Sequence, residues 1–173
     1  MLTSDYLKFQ EEYSDKYGEK TIVLMQIGSF YETFEYDPKR DKSSSLEAED
    51  IHCFKKDGIG SEINKKIGLV HEIAALLNIC PTMKNNKKPY GINNCSMCGF
   101  PVVSYEKHRD LLLANNYTIV RIDQKKNGDN VERFVAEILS PATNIDNLQS
   151  LPLTNNIVSI YIEVMKENFH YED

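Results

Sequence analysis

The stretch Thr21–Asp37, TIVLMQIGSFYETFEYD, decides the fold. An apolar run, Ile22–Ile27, reaches Gly28-Ser29 and is answered by Phe30-Tyr31-Glu32-Thr33-Phe34. Gly with a small polar neighbour between two such runs predicts a tight β-hairpin. The first strand carries apolar residues at both parities and is expected to be buried on both faces. The second alternates, with Phe30, Glu32 and Phe34 on one face and Tyr31, Thr33 and Glu35 on the other. A carboxylate between two aromatics is costly to bury. It is better placed if Phe30 and Glu32 project at the mouth of the turn, as a flat apolar plate with an acid two residues away.

Toward the N-terminus, Thr3 or Ser4 is expected to cap a helix running to about Tyr17. Tyr6, Phe9, Tyr13 and Tyr17 recur at helical spacing, and Gly18 stops it. This aromatic stripe reads as core. Beyond the hairpin, Asp37–Ser61 is polar, with Pro38, a serine run at 43–45 and Gly58-Ile59-Gly60. It is expected to be a long loop or insertion with a short helix near Leu46–Phe54. A second helix is expected over Glu62–Asn78, with Ile63, Ile67, Val70, Ile73, Ala74 and Leu77 as its apolar face. Cys80–Met83 reads as a short strand and Lys84–Gly91 as a basic loop. Ser104 is expected to cap a third helix to about Asn115. Tyr117–Asp123 and Val131–Leu139 read as a second hairpin around a turn at Gln124–Asn130. Pro141–Pro152 has the composition of a linker, and Asn156–Val164 alternates as a strand does. The doubled asparagines at 85–86, 93–94, 115–116 and 155–156 read as composition without function.

A chain of 173 residues is enough for one sizeable domain and a piece of a second. Its 41% hydrophobic and 27% charged residues fit a globular protein. No apolar run is long enough to span a bilayer, and the N-terminus lacks a signal-peptide pattern. Four cysteines without a secretion signal then imply free thiols in a reducing, intracellular compartment. The net charge of −6 excludes a non-specific nucleic-acid coat protein but leaves room for a small contact surface. No GxxxxGK[ST] exists, and Gly58-x-Gly60 lacks the third glycine of a dinucleotide site, so phosphate-loop readings fail. Cys95 and Cys98, with Cys80 and His108, are weak metal candidates. Their spacing is irregular and no second CxxC exists, so no metal site is assigned. His52, His71, His108 and His170 are scattered and read as packing or surface residues. Glu47, Glu49 and Asp50 read as a solvated face. No enzyme active site is expected within these residues.

Three motifs carry a resemblance. Gly28-Ser29-Phe30-Tyr31-Glu32-Thr33-Phe34 is similar to the GDFYE-with-following-Phe signature of the MutS mismatch-recognition domain. Met97-Cys98-Gly99-Phe100-Pro101 resembles that family's Met-Ala-Gly-Ile-Pro step before a helix. Val131-Glu132-Arg133-Phe134-Val135, ending in Ser140-Pro141-Ala142-Thr143, resembles its VERxV…(S/T)PGT strand. The motifs stand in the family's order and cover about residues 4–145. Ser29 replaces the usual Asp and Ala142 a Gly, while Asp37–Ser61 and Asn93–Cys98 look like insertions. These departures point to a divergent branch of viral or mitochondrial type.

The resemblance implies an α/β (α+β) domain over residues 1–145, with a mixed sheet of about five to six strands flanked by three or more helices. Residues 146–173 would be a linker and the first strand of a truncated connector domain. It implies binding, through the minor groove, to double-stranded DNA with mismatches or small unpaired loops. Phe30 would be the wedging aromatic and Glu32 the acid that hydrogen-bonds the mispaired base. Lys84, Lys87 and Lys88 are candidates for backbone contacts. ATP, magnesium and homodimerisation would belong to a longer parent protein; no cofactor and no membrane partner are expected for this chain. Alone it is expected to bind heteroduplex weakly or undetectably. The alternative is a protein-interaction module that kept the fold and lost DNA contact.

Overall fold

The computed structural model describes residues 2–41, 65–128, 130–144, 160 and 162. The helix expected near 46–54 and the strand expected over 156–164 lie outside the described residues, apart from Ile160 and Ile162. The elements are α1 (Leu2–Tyr17), β1 (Thr21–Ile27), β2 (Phe30–Glu35), α2 (Val70–Leu77), β3 (Thr82–Met83), β4 (Ser96–Pro101), α3 (Tyr105–Ala114), β5 (Thr118–Asn127) and β6 (Asn130–Leu139). Short 3-10 turns occupy Pro38–Arg40 and Val102–Ser104. The strands form one sheet in the order β3-β4-β2-β1-β5-β6. Only β1 and β5 run parallel; the other neighbours are antiparallel. This is the mixed α/β architecture expected. Among the described residues no helix is long and apolar enough to cross a membrane.

Each sheet face has its own core. On one face, Ile22, Leu24, Tyr31 and Phe100 pack under α2 and α3 through Val70, Ile73, Leu77 and Leu112. On the other, Val23, Met25, Phe34, Val120 and Ile122 pack under Tyr6 and Leu7 of α1. The central strand β1 thus feeds both cores, which explains its apolar residues at both parities.

β1 and β2 pair only over Met25–Ile27, then diverge. Gln10 of α1 fills the gap: its Nε2 donates to Thr21 O at 2.7 Å, and its Oε1 accepts from Val23 N at 3.0 Å. One side-chain amide thus stands in for a neighbouring strand's peptide. Beside it, the Tyr6 hydroxyl lies 2.6 Å from Thr33 Oγ1 and 3.0 Å from both Gln10 Oε1 and Val23 O. The aromatic stripe of α1 divides. Tyr6 is core, its ring edge-on to Phe34 at 5.1 Å. Phe9, Tyr13 and Tyr17 instead stack along the helix flank at 6.5 and 6.1 Å, and Tyr17 is exposed.

Three expectations need correction. The second helix starts at Val70, not near residue 62. Gly68 has φ +99°, and a Cβ there would overlap Phe34 O, because the chain lies flat against β2. Ile67 is buried by bridging Tyr36, with N–O distances of 2.8 and 2.9 Å, and not by a helical face. Second, Ser96–Cys98, within the stretch expected to be an insertion, is part of the sheet and pairs in β4 with Thr33–Glu35. Third, most of the turn expected at Gln124–Asn130 is strand. Pairing continues to Asn127 and Asn130 around Gly128 at φ +63°, so the hairpin runs on past the core with polar side chains.

Candidate nucleic-acid interface

The β1–β2 turn sits at one end of the sheet. Gly28 has φ +62° and Ser29 does not take a positive φ, as in a turn with glycine first and the primed twist hairpins favour. The turn is tied down on both sides. Gly28 O accepts from Gln26 Nε2 at 3.2 Å and from Gln124 Nε2 at 3.3 Å. Ser29 O accepts from Val102 N at 2.9 Å. The next residue, Phe30, pairs with Ile27 and Pro101 yet is 46% exposed. A ring held on a fixed backbone and left in water is available for a partner.

Glu32 follows on the same face, as the burial of its neighbours on that face, Met25 and Phe34, requires. It is half-buried between Met25 of β1 and Gly99 of β4. Burial raises its carboxyl above the ordinary value of 4.5, and Lys84 pulls the other way. A carboxyl so placed is easier to protonate than a solvated one, so it can donate as well as accept a hydrogen bond. Phe30 and Glu32 are therefore together on one face, with Phe30 the more open.

Two of the three lysines of the basic loop, Lys87 and Lys88, do not share that place. Tyr90 anchors the loop at the far end of β2, its hydroxyl accepting from Asp37 N at 2.7 Å. Asn94 organises the loop from inside: its Nδ2 donates to the carbonyls of Asn85, Lys88 and Pro89 at 2.9–3.1 Å, and its Oδ1 accepts from Asn85 N at 2.9 Å. This asparagine has a structural role that composition did not reveal. Lys87 and Lys88 are exposed on this loop, away from the turn. Only Lys84 acts on Glu32.

Cys95 and Cys98 fall in opposite cores and do not converge. Burial pushes both thiols up to about 12. Among the described residues no three His, Cys, Asp or Glu side chains gather as a metal ion would need. His108 packs against Phe100 at 4.3 Å, and burial, with Lys107 nearby, lowers its pKa. His71 is exposed beside the buried Glu35, its Nε2 3.6 Å from the carboxylate, while Lys66 Nζ approaches the same group to 3.1 Å. His52 and His170 lie outside the described residues.

Residues 71–147 match the model of MutS domain I. Over these residues the chain is similar to MutS domain I. Over 167 residues it is 29% identical to a mutS homolog of Acanthamoeba polyphaga mimivirus, named for DNA mismatch repair, covering 94% of this chain and 12% of that protein. It is 29% identical over 160 residues to the mitochondrial DNA mismatch repair protein mutS homolog of Sarcophyton glaucum, covering 90% of this chain and 15% of the relative. It is 25% identical over 173 residues to DNA mismatch repair protein MutS of Prochlorococcus marinus, covering 96% and 15% respectively. The chain thus spans about an eighth to a seventh of the lengths of these relatives. The domain I match takes in α2, β3, β4, α3, β5 and β6 and begins beyond β1–β2, so Phe30 and Glu32 stand on their geometry and on the hairpin motif.

Proposed function

We propose that this chain binds duplex DNA at mispaired or unpaired bases and serves DNA mismatch repair, with Phe30 as a wedge and Glu32 as a hydrogen-bonding partner of the displaced base. The observation that carries this reading is the exposed Phe30 ring on a turn tied down from both sides, with a half-buried carboxyl two residues along the same face. A mispaired base stacks poorly, so kinking the duplex there costs less than at a paired step. A ring inserted at the kink recovers stacking on the order of 1–3 kcal/mol. Discrimination then follows deformability and needs no sequence reading. A carboxylate beside phosphates is unfavourable unless a displaced base offers it a hydrogen bond, so Glu32 penalises the paired duplex. ATP, magnesium and homodimerisation, in this reading, belong to a longer parent protein, and the domain alone binds weakly because most phosphate contacts lie elsewhere.

The test is Phe30→Ala, titrated with mismatched and matched duplexes of one sequence. The preference for the mismatch is expected to vanish while the fold persists. An unchanged preference ratio would sink the wedge. The second reading, a protein-interaction module, is favoured by Val131, Val135 and Ile138, which are exposed on the edge strand β6. It requires that Phe30→Ala leave DNA binding untouched and abolish a protein contact.

A further inference from the structure

We propose that the β5–β6 hairpin is a second DNA-contacting arm, in which Arg133 and Lys126 grip phosphates beside the wedge; this rests on the mismatch-binding reading. The parallel register Met25↔Ile122 carries β5 past the β1–β2 turn, and Gln124 is bonded to that turn through Gln26 and Gly28. The hairpin tip therefore projects at the Phe30 end of the sheet, opposite the end where Tyr90 anchors the loop that carries Lys87 and Lys88.

Strand alternation then sorts its charges. Ile122 lies in the α1-side core, so Gln124 and Lys126 share its face, which is also the face of Met25 and Phe30. Their cross-strand partners are Arg133 and Val131. Lys125 and its partner Glu132 fall on the opposite face, and Asn127 Nδ2 donates to Glu132 Oε2 at 3.3 Å. The cations on the Phe30 side are thus segregated from the nearest acid on the arm.

Arg133 is also without a counter-ion among the described residues, and its Nε is shielded from solvent with no hydrogen-bond partner there. The Nε of Arg121 in the same hairpin is likewise shielded without a hydrogen-bond partner, but that guanidinium has Asp123 and Glu137 beside it at 3.5 and 3.2 Å. The charge of Arg133 is thus uncompensated among the described residues, and a phosphate oxygen meeting its guanidinium would supply the missing counter-charge. Phe30 and Arg133 lie three strands apart across the sheet, about 14 Å at ~4.8 Å per strand. That is roughly four nucleotide steps of ~3.4 Å along one DNA strand, so a wedge and a flanking phosphate can be held together.

The experiment titrates the 173-residue chain by fluorescence anisotropy with mismatched and matched duplexes, from about 20 to about 200 mM salt, low salt making weak binding measurable. Arg133→Gln is expected to weaken binding to both duplexes alike and to lower the log–log salt slope by about 0.9, with Lys126→Gln acting in the same direction. Arg133→Lys keeps the slope, and Glu132→Gln, on the far face, leaves it unchanged. Phe30→Ala erases the mismatch preference and keeps the slope. Arg133→Gln and Lys126→Gln variants that melt normally and retain the wild-type slope overturn the arm. A slope that falls as expected in a chain with no mismatch preference rejects the wedge and keeps the arm. Absence of binding to any duplex at low salt rejects both.

Discussion

Glu32 occupies the space that a side chain at Gly99 would take. A Cβ on Gly99 would stand 3.1 Å from Glu32 Cγ and 2.6 Å from Tyr31 O. The two residues are cross-strand partners, and the carboxyl lies half-buried because its neighbour on β4 has no side chain. Gly99→Ala is therefore expected to destabilise the domain by about 1–3 kcal/mol, the usual cost of overpacking. The methyl pushes Glu32 outward and the strands apart. Urea unfolding measures it; a change within a few tenths of a kcal/mol would show that the cradle is not tight.

Glu32 also gives the domain a pH signature. Its folded pKa is raised by burial, so the stability linked to its proton is fully present below the unfolded value near 4.5 and is lost as pH rises through the folded value. Glu32→Gln removes that loss. The variant is expected to melt above the wild type at pH 7, and the gap should close toward pH 4. A gap that stays constant across that range would mean that burial of the carboxyl is not its cause.

Tyr6→Phe tests the polar joint where α1 meets the sheet. The lost hydroxyl leaves Thr33 Oγ1 without its 2.6 Å partner in a buried place. The expected cost is about 1–3 kcal/mol, read from the midpoint of chemical denaturation at unchanged m-value. A neutral outcome would mean that Gln10 and Thr33 re-pair without help.

Thiol labelling should separate Cys80 from Cys95 and Cys98. Cys80 is exposed, whereas Cys95 and Cys98 are buried with their thiols pushed up to about 12. At pH 8 a thiol-specific disulfide reagent is expected to modify Cys80 within minutes and to reach Cys95 and Cys98 only on unfolding, as peptide mass mapping would report. Equal rates at all three sites would contradict the buried placement.

Much of the fold was legible because its signals are local. Gly28 between apolar runs marked the first hairpin, and the alternation around Phe30 and Glu32 correctly divided β2 between two faces. What failed was non-local. Apolar spacing through Ile63, Ile67 and Val70 imitates a helix, but Gly68 is needed where the backbone presses on β2, and only the packed sheet reveals that. The tip of the second hairpin has no apolar rhythm because it leaves the core, so its pairing was unreadable. Lys87 and Lys88 could be recognised as basic but not assigned to an end of the sheet. Asn94 and Arg133 carry roles that depend on what surrounds them in space, for which a single sequence holds no period or spacing.

The Tyr36–Ile67 bridge closes the chain on itself at the end of β2. It returns the chain to within a strand's width of where it departed, and the buried Glu35 carboxylate pins the returning Lys66. The two chain ends thus form a closed collar at this end of β2. Because the collar and the turn close opposite ends of β2, the strand that presents Phe30 and Glu32 is anchored at both of its ends.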